Sequence, residues 1–195
     1  MGVLPTDSFP ALVCDLENKN AVQLLYELKG ASPSKQLSIL CRNFADVSRY
    51  TLDFPVSTVA GQPNFYKIAR QILPGPFTII LPASKMLPRQ VTNYESGRSK
   101  QRSTVGVRLP DDAACRAVLA QLDRPLLCST ARVEGGEEGV IPDAAVLADH
   151  YGRRGLAFVV DAGRRAAEPS TVLDLSGGEI VLVRQGKGDT SWLET

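Results

Sequence analysis

Short apolar runs rich in Val, Ile and Leu recur along the chain and alternate with longer amphipathic segments. The runs lie at Leu12–Cys14, Leu37–Cys41, Phe77–Pro82, Thr104–Leu109, Leu126–Ser129, Ala157–Asp161, Ser170–Leu175 and Ile180–Arg184. Their length and composition predict strands. Between them, Asn20–Lys29 places Val22, Leu25 and Leu28 at helical spacing, and "DDAACRAVLAQL" starts on aspartates and puts Val118, Leu119 and Leu122 on one side. Both predict helices. The run "LADHYGRRG" reads as the charged end of another, and "SGGE", Ser176 to Glu179, joins the last two strands as a hairpin. This alternation predicts an α/β fold: one domain over 1–195, with a twisted, mixed and partly parallel sheet flanked by helices. Val3–Leu4 reads as the end of a further strand, followed at once by the turn "PTDS".

Composition narrows the function classes. The 195 residues are 44% hydrophobic and 22% charged, with a formal net charge of +1. A chain of this size buries a sizeable core and has no global pull toward nucleic acid or membrane. The one visible basic patch is "RSKQRS", Arg98 to Ser103. No apolar run approaches the roughly 18 residues that span a bilayer, so no membrane partner is expected. The start "MGVLPT" fits the myristoylation pattern, but Thr6 belongs to the turn. Cys14, Cys41, Cys115 and Cys128 are far apart and read as small buried hydrophobes of a reducing compartment. With one histidine, His150, and no Cys-x-x-Cys pair, neither a structural zinc site nor a Ser-His-Asp triad has its residues.

Ligands of open α/β sheets bind beyond strand ends. Three segments bring hydroxyls there: Pro5–Ser8, Cys128–Ala131 and Pro169–Thr171, while Lys29, Arg108 and Arg184 sit at element ends. Hydroxyls with scattered cations suit a polyanion such as a nucleoside triphosphate. Singly, each is better read as a turn or cap former or a solvated charge. No P-loop or dinucleotide fingerprint is present, since "GGEEG" and "GKG" lack the spacing.

The order of motifs resembles the YrdC family, whose best-known members are threonylcarbamoyl-AMP synthases. Seven segments match in sequence: "PTDSFPAL", "LKG", "PGPFTIIL", "TVGVRLP", "PLLCSTA", "PSTVLDL" and "VLVRQGKGD". "PTDS", "LSILCRN" and "VRQGKGD" are most similar to the YciO branch. The resemblance implies a reaction of L-threonine, bicarbonate and ATP, the last with Mg2+, giving threonylcarbamoyl-adenylate and pyrophosphate for tRNA modification. It implies that Ser8, Thr130 and Ser170 hold the amino-acid substrate, that Arg108 holds its carboxylate, and that Lys29, Thr104 and Arg184 surround ATP. In the family a helix and most of a strand precede the first of these segments. Their lack in this chain raises the expectation of a truncated gene model or a removed targeting segment, and of a cytoplasmic or organellar location.

The departures from the pattern carry weight. The arginine of the family's Lys-x-Arg motif is Ala31, its downstream asparagine is Lys35, the asparagine of its Ser-x-Asn motif is Arg132, and the tyrosine of the first motif is Pro10. Losing one arginine contact to a phosphate weakens ATP binding roughly ten- to a hundredfold. Lys35 and Arg132 are candidate compensating cations, without the same geometry. Three readings stay open: a synthase-type enzyme, slow or altered in substrate; a double-stranded RNA or tRNA-binding module using Arg98, Lys100, Arg102, Arg132, Arg153 and Arg154; and a scaffold with a vestigial pocket.

Overall fold

Each of the five described helices starts on an asparagine or aspartate whose side chain accepts a backbone N–H of the first turn. The caps are Asn18, Asn43, Asn64, Asp112 and Asp143. They satisfy donors that the helix leaves open. The helices are α1 (Lys19–Lys29), α2 (Phe44–Tyr50), α3 (Phe65–Ile72), α4 (Ala113–Leu119) and α5 (Ala144–Gly152). The structure is a computed structural model that describes residues 1–30, 37–57, 64–88, 91, 103–133, 140–163 and 168–193. Ala31 and Lys35 lie outside these residues, as do Arg98, Lys100 and Arg102.

The predicted apolar runs form the strands of one sheet. In chain order they are β1 (Gly2–Leu4), β2 (Ala11–Asp15), β3 (Ser38–Leu40), β4 (Phe77–Pro82), β5 (Thr104–Arg108), β6 (Leu126–Thr130), β7 (Phe158–Val159), β8 (Thr171–Asp174) and β9 (Val181–Arg184). Their spatial order is β7-β1-β2-β6-β3-β5-β4-β8-β9. The pairs β1/β7, β3/β5 and β4/β8 are parallel and the others antiparallel, so the sheet is mixed as expected. β8 and β9 form the hairpin that "SGGE" predicted, with an irregularity between Val172 and Leu173. The helix expected over residues 111–122 is shorter than its apolar pattern, because Asp112 caps it and Ala120 closes it.

The sheet has two faces with different cover. One carries Leu12, Cys14, Ile39, Ile79, Val107, Leu127 and Leu173 and packs with the apolar residues of α1, α2 and α3 in the main core. The other carries Ala11, Val13, Leu40 and Cys128 and packs against Cys115 and Leu119 of α4. Helix α4 is seven residues long and cannot cover a nine-stranded sheet. Among the described residues, part of the second face is left uncovered beside it, and this part forms the floor of a cleft. Among the described residues no helix is long and apolar enough to cross a membrane.

Candidate functional site

Strand register builds the cleft floor. Ser38 pairs with both Gly106 and Cys128, Ile80 pairs with Gly106, and Val172 pairs with both Thr78 and Arg184. Because side chains alternate along a strand, these in-register residues share the open face. They line a cavity of about 430 Å³ together with Lys29, Leu37, Arg108, Ser129, Thr130, Arg132 and Ser170. At the centre of the floor Gly106 leaves little room: a Cβ there would stand 2.5 Å from the Ser38 hydroxyl.

Charge on this cavity is one-sided. Lys29, Arg108, Arg132 and Arg184 line it, and among the described residues that line it there is no carboxylate. Partial burial first, and then the positive neighbours Arg132 and Arg108, lower the pKa of Arg184 from its ordinary value. Guanidinium groups held close enough to oppose one another's charge make a site for an anion. Lys29 is fixed by donating to the Thr130 carbonyl at 3.2 Å, which brings the end of α1 to the end of β6. Arg184 donates to the Ser170 carbonyl through Nη2 at 2.7 Å and Nε at 3.2 Å. The Ser170 hydroxyl is also 2.9 Å from that of Thr78.

Arg108 is 8% exposed and anchors the N-terminal turn. Its Nη2 donates to Ser8 Oγ at 2.7 Å, and to Thr6 Oγ1 and Asp7 Oδ1 at 3.3 Å each. Its buried Nε has no hydrogen-bond partner among the described residues. A buried donor left open beside a cavity is a position for a ligand oxygen. Asp7 Oδ2 accepts the Asp111 amide at 2.6 Å. Burial raises the Asp7 pKa, against the opposing pull of the Asp111 amide and of Arg108.

Of the residues singled out in the sequence, Lys29, Arg108, Thr130, Arg132, Ser170 and Arg184 converge on this cavity. Ser8 meets it through Arg108 and itself lines a neighbouring cavity of about 670 Å³ with Thr6 and mostly apolar residues of the α5 region. Thr104 lies at the far end of β5, about 13 Å along the strand from Arg108, outside the residues that line the cleft. Lys35 falls outside the described residues. His150 is a half-buried residue of the last turn of α5, with its ring edge-on to Tyr151.

Ser38, Thr78, Gly106 and the Asp7–Arg108 ion pair were not singled out. Thr78 and Gly106 sit inside two of the quoted motifs, but their direction depends on register, which the motifs do not display. Among the described residues no group of three or more His, Cys, Asp or Glu is placed to hold a metal ion.

Comparison with known proteins identifies the family. The family model Sua5/YciO/YrdC, described as telomere recombination, matches residues 1–186. YciO of Escherichia coli strain K12, described as an uncharacterized protein, is 29% identical over 96% of this chain and 83% of its own length. Threonylcarbamoyl-AMP synthase of Pyrococcus abyssi is 28% identical over 93% of this chain, which spans 49% of that enzyme's length. The crystal structure of E. coli YciO superposes with a TM-score of 0.79 at 28% identity, covering 97% of this chain and 84% of YciO. That of P. abyssi Sua5 complexed with L-threonine gives 0.75 at 25% identity, covering 94% and 49%. The match takes in every strand and every residue that builds the cleft, and the chain therefore belongs to the Sua5/YciO/YrdC family.

Proposed function

We infer that the cleft binds the phosphates of ATP beside an L-threonine-derived group, and that the protein is an enzyme of the threonylcarbamoyl-AMP synthase type. The observation that carries this reading is the meeting of Lys29, Arg108, Arg132 and Arg184 in one cavity. Relatives named threonylcarbamoyl-AMP synthase and a relative solved with L-threonine support it.

In this reading the threonine amine and bicarbonate condense to a carbamate with loss of water. A carbamate oxygen then attacks the α-phosphorus of ATP, and pyrophosphate leaves. Arg108 holds the amino-acid carboxylate with Ser8 beside it, Thr130 and Ser170 offer hydroxyls, and Lys29 and Arg184 neutralise the phosphates. Such chemistry proceeds by positioning and electrostatic stabilisation and needs no dedicated base. Arg132, where the family pattern has an asparagine, adds a full charge at the edge of the same cavity.

A cavity of about 430 Å³ falls within the range of small-molecule sites. Of the residues behind the duplex-RNA reading, Arg98, Lys100 and Arg102 lie outside the described residues, Arg132 lines the cleft, and Arg153 and Arg154 are exposed after α5. The geometry favours the nucleotide. Calorimetric titration with ATP and Mg2+, with and without threonine plus bicarbonate, tests it when pyrophosphate is followed on the same sample. Micromolar binding with threonine-dependent release is expected; neither binding nor release at high protein concentration overturns the reading.

A further inference from the structure

The turn after β9, "GKG" at Gly186–Gly188, is built with little freedom. The Lys187 amide donates to the Pro169 carbonyl at 2.8 Å, the Gly186 amide to the Thr171 hydroxyl at 3.0 Å, and that hydroxyl to the Gly188 carbonyl at 2.8 Å. Gln185 Nε2 closes the turn by donating to the carbonyls of Gly186 and Gly188. Neither glycine has room for a side chain. A Cβ at position 186 would stand 2.3 Å from the Pro169 carbonyl oxygen, and one at position 188 would stand 2.4 Å from the Phe77 ring. The tripeptide thus presents a single side chain.

That side chain reaches 180 residues back: Lys187 Nζ donates to the Asp7 carbonyl at 2.7 Å. The turn it grips carries Thr6 and Ser8, the two hydroxyls that Arg108 holds from β5. On the other side, the Asp7 carboxylate takes the Asp111 amide. Lys187 therefore ties the Ser8 side of the cleft to the β8–β9 wall, where Pro169, Ser170 and Arg184 stand. It is not among the residues that line the cleft cavity itself.

We propose that Lys187 is a positioning residue of this site: it straps the Thr6–Ser8 turn to the β8–β9 wall and so sets how the Ser8–Arg108 pair faces Ser170 and Arg184. The proposal rests on the amino-acid and nucleotide reading of the cleft for its consequence, but the strap exists without ligand. The amino-acid portion of the substrate depends on it, because that portion meets Ser8 and Arg108. The phosphates do not. Misplacement of a substrate-holding group by about 1 Å costs up to about a hundredfold.

The test compares wild type, K187M and K187R. Hydrogen exchange of the ligand-free proteins reads the strap directly. The Ser8 and Asp111 amides, which bond to Thr6 Oγ1 and Asp7 Oδ2, exchange about tenfold faster in K187M and recover in K187R, while the β4 amides of Ile79 and Ile80 stay unchanged. Equal exchange in wild type and K187M overturns the strap. Calorimetry then separates ligands: L-threonine binds about tenfold more weakly to K187M and recovers in K187R, and ATP with Mg2+ changes by less than about twofold. Equal losses on both ligands overturn the positioning role and make Lys187 a general electrostatic contributor. Absence of both bindings in wild type removes the nucleotide reading, and the exchange result still decides the strap.

Discussion

Arg184 and Ser170 are locked to each other across the β8–β9 hairpin: two guanidinium nitrogens converge on one carbonyl oxygen, and Nη2 also lies 3.2 Å from the serine hydroxyl. This holds a cation at the end of an exposed edge strand in a single direction, toward the cleft. Replacing Arg184 by Met is expected to weaken ATP binding roughly ten- to a hundredfold. R184K recovers only part of it, because an ammonium cannot reproduce the two-nitrogen fork. Calorimetry on the two variants checks this, and a thermal midpoint within a few degrees of wild type separates it from misfolding.

Asp7 gives a pH signature opposite to that of most paired carboxylates. Its folded-state pKa lies above the ordinary 3.8, chiefly through burial. The folded protein therefore holds more proton on this group than the unfolded chain does in the window between 3.8 and the raised value. Stability contributed by Asp7 grows as the pH falls through that window. D7N leaves the backbone acceptor of Lys187 in place and removes the titration. Urea midpoints measured from neutral pH down into this window are expected to show wild type gaining on D7N as the pH falls. A constant difference between the two proteins contradicts the assignment.

Gly106 and Ser38 share one small volume in the cleft floor. The Cβ of G106A would stand 2.5 Å from the Ser38 hydroxyl and 3.2 Å from the Thr78 methyl. Overpacking of this kind costs about 1–3 kcal/mol. The double variant G106A/S38A is expected to recover most of it, because the closest atom is then gone. Urea denaturation of the four proteins of this cycle measures the coupling directly.

The four cysteines are expected to be silent toward thiol reagents in the native protein. All are free and buried. Burial pushes Cys14 and Cys115 up to about 12 and Cys128 to about 11, and holds Cys41 well above its ordinary 9.0. A three-unit rise leaves about a thousandfold less thiolate than an ordinary thiol. Ellman titration at neutral pH should find no fast-reacting thiol in the folded state and four after denaturation. One fast native thiol identifies a site where the core opens.

Much of the architecture was written in local pattern. The run Phe77–Pro82 is apolar except for Thr78, and Thr104–Leu109 carries Val105, Val107 and Leu109 in alternation; both lie inside the sheet, and this composition marks strands whatever their partners. The hydroxyl-bearing turn at Pro5–Ser8 and the cations ending α1, β5 and β9 were visible for the same reason: caps, turns and strand ends obey near-neighbour rules. Strand order, and with it the placing of β8 beside β4 rather than beside β7, is not a near-neighbour property. It follows from which faces bury together.

Element types, the α/β class and the residues that carry hydroxyls and positive charge are all legible in local pattern. Tertiary structure alone decided that Lys29, Arg108, Arg132 and Arg184 share one cavity, that Thr104 stands apart from it, and that Lys187 reaches Asp7. The physical reason is range. Side-chain periodicity and turn chemistry act over a few residues. Register across a sheet sets which side chains meet over separations of 100 residues or more, as between Arg108 and Ser8.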